Sequence, residues 1–370
     1  MKKYAFLLVA VLLFSLVLGA CAAPPPAAAP AAGGEAAAGT ATEEAAAAAP
    51  AEGEITVGYG APELSGGQGV IMNGMIAGAE GQGWKIVTNN ADFDASKQAN
   101  QIDDFLASGV NAIVTVPVDS QAICASVKKA TDAGVPFFTI DRAPIGCEIA
   151  MTVQSDNYLA GKQSAEAMVK LLTEKNGEAK GTVLELQGDL GQNVAQLRGG
   201  GFNDVMKEYP NIKIISKPTE WRAEKFSQST LDVVAAEPVD GIYMHSDCVG
   251  TTVVLAALDQ LGKKVKSGED GHIFLAGVDA CPDALAAIRD GYSDQASSQP
   301  MPDFGVVLSD YMKTVLNGGE IAEGTVEKEG APWSPATIVK SDTGYMLNLA
   351  TTSVDNSNVD NPGLWGNQAK

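Results

Sequence analysis

From Ile55 onward, short apolar β-rich runs alternate with longer segments whose apolar residues recur at helical spacing. The first series reads as strand 55–59, helix 70–81, strand 84–88, helix 95–107, strand 112–116, helix 121–133, strand 135–140 and strand 149–154. Ile102, Phe105 and Leu106 show the spacing rule, since together they put one apolar stripe on the helix over 95–107. The second series reads as helix 157–172, strand 182–187, helix 194–207, strand 212–216, helix 223–236, strand 241–245, helix 251–261, strand 273–278 and helix 282–290. Strands joined by helices of this length pair in parallel, with helices covering both faces of the sheet. Two successive series predict an α/β chain of two Rossmann-like lobes. Roughly 300 residues are available for them, enough for two domain-sized cores.

Open parallel sheets bind ligands beyond the carboxyl ends of their strands. The polar residues immediately after the strands are therefore the candidates: Asp119, Asp141, Arg142, Asp156, Asn157, Gln187, Ser246, Asp247 and Asp279. Carboxylates and amides accept hydrogen bonds from hydroxyls, and an arginine offers a planar fork of donors. That set suits an uncharged polyhydroxy molecule.

The charge balance narrows the class further. With 45 acidic and 25 basic residues, the formal net charge is −20, which argues against nucleic acid, a polyanion that needs clustered Lys and Arg. The two histidines, His245 and His272, are isolated. Neither a Gly-x-Ser-x-Gly elbow nor a Gly-x-x-x-x-Gly-Lys-Ser/Thr phosphate loop occurs. No enzyme activity, metal or cofactor is expected. The rival from the enzyme class is a glycosidase using Asp141 and Asp279 as paired carboxylates.

Of five cysteines, Cys124, Cys147, Cys248 and Cys281 fall in the folded part. Four cysteines allow three pairings. Cys124 and Cys147 follow successive strands of the first series, and Cys248 and Cys281 do so in the second, which predicts Cys124–Cys147 and Cys248–Cys281. Neither bridge would join the two lobes.

The amino terminus carries Lys2 and Lys3, an apolar run from Ala5 to Val17, and then Leu18-Gly19-Ala20-Cys21. The run is short for a bilayer, which takes about 20 residues, and has the layout of a secretory signal. Leu-Gly-Ala-Cys resembles a bacterial lipoprotein box, which implies a signal peptide over 1–20 and a lipid on Cys21. Residues 21–53 are almost wholly Ala, Pro, Gly, Thr and Glu, with no aromatic residue to bury, and are read as a disordered tether.

Four motifs occur in order: Thr139-Ile140-Asp141-Arg142, Ser155-Asp156-Asn157, Glu185-Leu186-Gln187-Gly188 and Arg198-Gly199-Gly200-Gly201-Phe202. They resemble the ribose-binding proteins and the pentose/hexose cluster of type I periplasmic binding proteins of ABC transporters, over roughly 55–339. The resemblance implies a sugar held between two lobes joined by three crossings, placed near Ser155, Gln299 and Trp333. It implies an amino-terminal lobe of 54–154 plus 300–332 and a carboxy-terminal lobe of 155–299 plus 333–370. It assigns Asp141 and Arg142 to the first lobe's grip, Arg198 and Asp279 to the second's, Trp221 to stacking and Gln299 to the crossing.

The chain departs from this pattern where the first strand–helix loop reads Leu64-Ser65-Gly66-Gly67-Gln68, which lacks the family's aromatics. Ser65 and Gln68 are expected to replace that wall with hydrogen bonds, and Ser246, Asp247 and Asn157 complete the candidate set. A pocket with fewer rings favours a hexose, glucose-like first. The expected partners are the sugar and an ABC permease, with a receptor-coupled sensor as the alternative. A monomer is expected, held at the outer face of the cytoplasmic membrane by its lipid alone. The tail beyond Ser341 is expected to wrap the second lobe with Trp365 as its apolar anchor.

Overall fold

Two parallel sheets organise the chain, and the helical connections expected from sequence cover them. The computed structural model describes residues 53–368. The signal segment, Cys21 and the tether up to residue 52 lie outside the described residues. The first lobe runs β1 (Thr56–Ala61), α1 (Gly66–Gly81), β2 (Lys85–Asn90), α2 (Ala95–Ala107), β3 (Ala112–Thr115), α3 (Cys124–Asp132), β4 (Phe137–Ile140) and β5 (Ile149–Ser155). The second lobe continues with α4 (Asn157–Asn176), β6 (Gly181–Gln187), α5 (Asn193–Met206), β7 (Ile212–Pro218), α6 (Ala223–Ala236), β8 (Gly241–Met244), α7 (Asp247–Gln260), β9 (Phe274–Asp279), α8 (Pro282–Arg289) and β10 (Gln295–Ser298). The chain then returns to the first lobe through α9 (Asp303–Leu316), β11 (Gly324–Val326), β12 (Ala336–Ser341) and β13 (Gly344–Leu349). It ends on the second lobe with β14 (Thr352–Val354) and the short α10 (Trp365–Gln368).

The first sheet has the order β11-β12-β13-β5-β4-β3-β1-β2 and the second β14-β10-β9-β8-β6-β7. β3, β4 and β8 are buried throughout, as strands covered on both faces must be. The first core gathers Tyr59, Ile71, Phe138, Phe304 and Trp333. In the second lobe Phe202 stacks on Tyr243, ring centroids 4.2 Å apart, on one face of the sheet. Phe226, Ile242 and Val254 pack on the other. The cysteine sulfurs meet in the expected pairs, Cys124–Cys147 at 2.05 Å and Cys248–Cys281 at 2.17 Å, each within one lobe. Among the described residues no helix is long and apolar enough to cross a membrane.

Two features correct the sequence reading. The chain passes between sheets a third time at residues 350–351, not near Trp333. β12 and β13 form an antiparallel hairpin whose second strand pairs in parallel with β5, so the chain must finish the hairpin before leaving the first sheet. Trp333 is buried in the first core, and its carbonyl accepts from the Ala350 amide at 3.3 Å, so it marks the crossing without making it. α7 also begins at Asp247 and not at Thr251, which places Asp247 in its first turn.

Helices α4 and α5 cross with their backbones in contact. A Cβ on Gly161 would stand 2.1 Å from the Arg198 carbonyl, and one on Gly201 would stand 2.0 Å from that of Tyr158. Gly161→Ala gains about 0.5–1 kcal/mol of helix propensity but must push the helices apart, at about 1–3 kcal/mol for an overpacked core. A net loss of stability is expected in urea unfolding, and an unchanged midpoint would contradict this packing.

Candidate functional site

A cavity of about 240 Å³ opens between the carboxyl ends of the two sheets. The first lobe lines it with Glu63, Gly67, Gln68, Phe93, Asp141 and Arg142, and the second with Val194, Arg198, Trp221, Ser246, Cys248, Val249 and Asp279. Gln299 and Met301 come from the crossing after β10.

Each lobe supplies one carboxylate on a residue in the left-handed backbone region, Asp141 at φ 67° and Asp279 at φ 116°. Such conformations cost a non-glycine residue about 1–3 kcal/mol and persist where surrounding contacts enforce them. Asp141 sits directly after β4, accepts from Gln68 Nε2 at 3.1 Å, and lies 3.4 Å from Arg142 Nε. Arg142 is anchored by donating Nη1 to the Pro117 carbonyl at 3.2 Å. Asp279, at the end of β9, accepts from Ser246 Oγ at 2.5 Å and from Gln299 Nε2, and pairs with Arg198 Nη1 at 3.2 Å. Burial pushes the Asp279 carboxyl upward against the pull of Arg198. Arg198 is fixed in turn by donating Nε to Asn157 Oδ1 at 2.8 Å and Nη1 to the His245 carbonyl at 2.5 Å.

Trp221 packs against Gly188, where a Cβ would fall 2.0 Å from the ring. Its Nε1 donates to Gln192 Oε1 at 2.6 Å, and the Arg198 guanidinium lies 5.7 Å from the ring centroid. Gln192 then reaches across the lobes, donating Nε2 to the Val118 carbonyl at 2.8 Å. Asn193 adds three more bridges, accepting from the Ala143 amide at 3.0 Å, donating Nδ2 to Gln154 Oε1 at 3.1 Å and donating its backbone amide to Ser120 Oγ at 3.4 Å. The start of α5 thus touches both the aromatic wall and the opposite lobe.

Three buried polar atoms on lining residues make no protein hydrogen bond: Gln68 Oε1, Gln299 Oε1 and Arg142 Nε, the last with only its 3.4 Å ion-pair contact to Asp141. Both amides donate to carboxylates, which only accept, so their oxygens are the free ends. Leaving such an atom unpaired costs about 1–3 kcal/mol. A group able to donate to two of them and accept from the third would satisfy the cleft, and a hydroxyl does both.

Of the candidates read from sequence, Gln68, Asp141, Arg142, Arg198, Trp221, Ser246, Asp279 and Gln299 line this cavity. Ser65, Asp247 and Asn157 do not. Ser65 is exposed and donates to Glu63 Oε2 at 2.9 Å. Asp247 faces backbone, accepting from the Ala280 and Cys281 amides at 2.8 and 3.2 Å, so its oxygens hold the turn after β9. Burial drives its carboxyl well upward, and the Asp279 charge adds to this. Asn157 orients Arg198. Phe93 was not expected. It is 47% exposed and reaches the cavity from the loop after β2, so the first lobe does bring an aromatic side chain. Its place after a strand end was the available signal. Val194 and Met301 carried none.

A larger open groove of about 670 Å³ lies on the second lobe near Lys170, Arg289 and Ser357. It draws on one lobe only, and its Arg289 is already engaged by Asp360 and Asn367.

A model of the periplasmic binding protein domain matches residues 68–320. The xylitol-binding protein of Mycolicibacterium smegmatis is 27% identical over 285 residues, 76% of this chain and 75% of its own length. The galactofuranose-binding protein of Escherichia coli is 31% identical over 260 residues, 67% of this chain and 78% of its own. A crystal structure of a galactofuranose binding protein shares 25% identity, covers 82% of this chain and 96% of its own, and superposes with a TM-score of 0.69.

Behind the cleft, the fully buried His245 pairs through Nε2 with Glu185 Oε1 at 3.0 Å, while its Nδ1 has no partner. One proton suffices there, and burial lowers its pKa. His272 faces acceptors on both nitrogens, the Val265 carbonyl at 2.7 Å and the Asp294 carboxylate at 3.0 Å. Burial opposes its charge, but Asp294 outweighs burial and raises its pKa. The linkage signs are therefore opposite. The His245 contribution is complete above about pH 6.5 and is lost as pH falls toward its depressed folded value. That of His272 is complete below about pH 6.5 and is lost as pH rises through its elevated folded value. Proton NMR of the two imidazoles should give one midpoint on each side of the ordinary value, and two ordinary midpoints would refute both environments.

Proposed function

The chain belongs to the periplasmic binding protein family, and on that premise we propose that it captures a small uncharged polyhydroxy molecule between its lobes and delivers it to an ABC importer. The family is one of substrate-binding transport proteins, not of enzymes. The observation that carries the ligand class is the set of buried atoms without a protein hydrogen bond on cleft-lining residues, two amide oxygens and an arginine N–H, beside carboxylates paired with arginines. Asp141 and Asp279 accept from ligand hydroxyls, Arg142 and Arg198 donate to them, and Trp221 and Phe93 cover the C–H faces.

Size favours one ring or a short open chain. A cavity of about 240 Å³ falls below the roughly 300–1,000 Å³ of sites for drug-sized ligands. The argument for a hexose rested on a missing aromatic wall. With Phe93 in place, a five-carbon sugar, a furanose ring or a pentitol is the better match, in line with relatives described as binding xylitol and galactofuranose.

The lobes close because the ligand contacts both at once, shifting the population toward the arrangement in which Gln192 and Asn193 bridge them. The closed form docks on a membrane permease. The protein acts as a monomer at the outer face of the cytoplasmic membrane, tethered through lipidated Cys21.

Thermal shift against D-ribose, D-xylose, xylitol, L-arabinose, D-galactose, D-glucose and myo-inositol tests this reading. A ligand at a hundred times its dissociation constant adds about 2.7 kcal/mol of stability. The pentoses and xylitol should give the largest shifts, and Asp279→Asn should weaken binding by about 10- to 100-fold, the worth of hydrogen bonds to a charged group. No shift with any of them would overturn the assignment. Gln192→Ala should leave a more expanded ligand-bound form in small-angle scattering; a profile equal to wild type would show that this bridge does not serve closure.

A further inference from the structure

We infer that the carboxy-terminal tail positions the ligand cleft, with Trp365 holding the turn that aims the Asp279 carboxylate. The inference rests on the reading of the cleft as a polyhydroxy-ligand site. The family match ends at residue 320, so the tail lies beyond it.

The turn after β9 touches the cavity and carries two consecutive residues at positive φ, Asp279 at φ 116° and Ala280 at φ 59°, neither a glycine. Two groups restrain it. Asp247 takes the Ala280 and Cys281 amides from one side. Trp365, buried, donates its indole Nε1 to the Asp279 carbonyl at 2.6 Å, a carbonyl that the Gln299 amide also approaches at 3.4 Å. The residue whose carboxylate lines the cleft thus has its backbone held by the tail. The neighbouring Gly366 sits so close to this turn that a Cβ would fall 2.3 Å from the Ala280 carbonyl.

The tail is itself pinned. Arg289 donates Nε to Asp360 Oδ1 at 2.7 Å and Nη2 to the Val359 carbonyl at 3.1 Å, while Val354, Val359 and Leu364 pack on Ala280, Leu285 and Ile288. Trp365 also reaches the first lobe. With Cys248, Cys281 and Pro282 it bounds a small cavity of about 260 Å³ whose opposite wall is Gly66, Gly67 and Val70 at the start of α1. Gly67 lines the ligand cavity too, and Gln68 follows it. One indole therefore supports the second lobe's carboxylate and faces, across that small cavity, the helix that carries the first lobe's amide.

Trp365→Phe keeps an aromatic ring but removes the indole donor together with part of the ring's volume. Calorimetric titration with the member of the panel above that shifts wild type most should show a roughly fivefold or greater loss of affinity, the worth of one net hydrogen bond. The ligand-free Tm should fall somewhat, from the smaller ring and the lost bond, so the affinity of the folded protein is the deciding readout. A purely structural role would lower that Tm and leave the affinity of the folded protein unchanged, and this result would overturn the inference. Full affinity at an unchanged Tm would overturn it as well. Failure of every ligand with wild type would instead remove the reading of the cleft on which the inference stands.

Discussion

The burial of charged groups between two lobes is the constraint on which the rest of this structure depends. Asp279 and Arg198 pair at 3.2 Å with both side chains almost wholly removed from water, as do Asp141 and Arg142 across the cleft at 3.4 Å. An ion pair out of water repays its desolvation only when the remaining donors and acceptors are also met. Around Asp279 they are met by Ser246 and Gln299, and around Arg198 by Asn157 and the His245 carbonyl. On the residues that line the cavity, Gln68 Oε1, Gln299 Oε1 and Arg142 Nε are left without a protein hydrogen bond. A site of this kind discriminates by the cost of leaving its own groups unpaired, which is how polar pockets separate hydroxylated ligands from apolar ones.

The same economy couples binding to shape. Trp221 is held over Gly188 by Gln192, and Gln192 also bonds the opposite lobe. Contact with the ring and contact between lobes therefore share one amide. The two disulfides each stay within a lobe, and the three passages between sheets are short, so relative motion is restrained mainly by such polar bridges. That distribution suits a molecule whose two states must differ by little more than what a small ligand can supply.

Much of the site was readable because of one topological rule. Residues after parallel strands point to the crevice, and Asp141, Arg142, Ser246 and Asp279 obey it. The same rule misled at Asp247, which also follows a strand but spends both oxygens on the amides of Ala280 and Cys281. Nothing in the chain distinguishes a carboxylate that will cap a neighbouring turn from one that will meet a ligand. Phe93 obeyed the rule and was passed over, while Val194 and Met301 are apolar residues that any core could hold. The hairpin of β12 and β13 was missed because its pairing with β5 joins residues nearly two hundred positions apart.

By itself the sequence determined the class of the fold, because helical and strand periodicities are local properties that survive without knowledge of neighbours. Its net charge also argues against a polyanion ligand, a reading that needs no geometry. The tertiary structure alone decided which polar residues face one another. Gln68, Asp141, Arg198, Asp279 and Gln299 converge only after two sheets have formed and three crossings have set their angle, and Trp365 reaches Asp279 from 86 positions away. Hydrogen-bond satisfaction is a property of that convergence. The physical reason is range: periodicity acts over a few residues, whereas the pairing of a buried charge depends on every element that surrounds it.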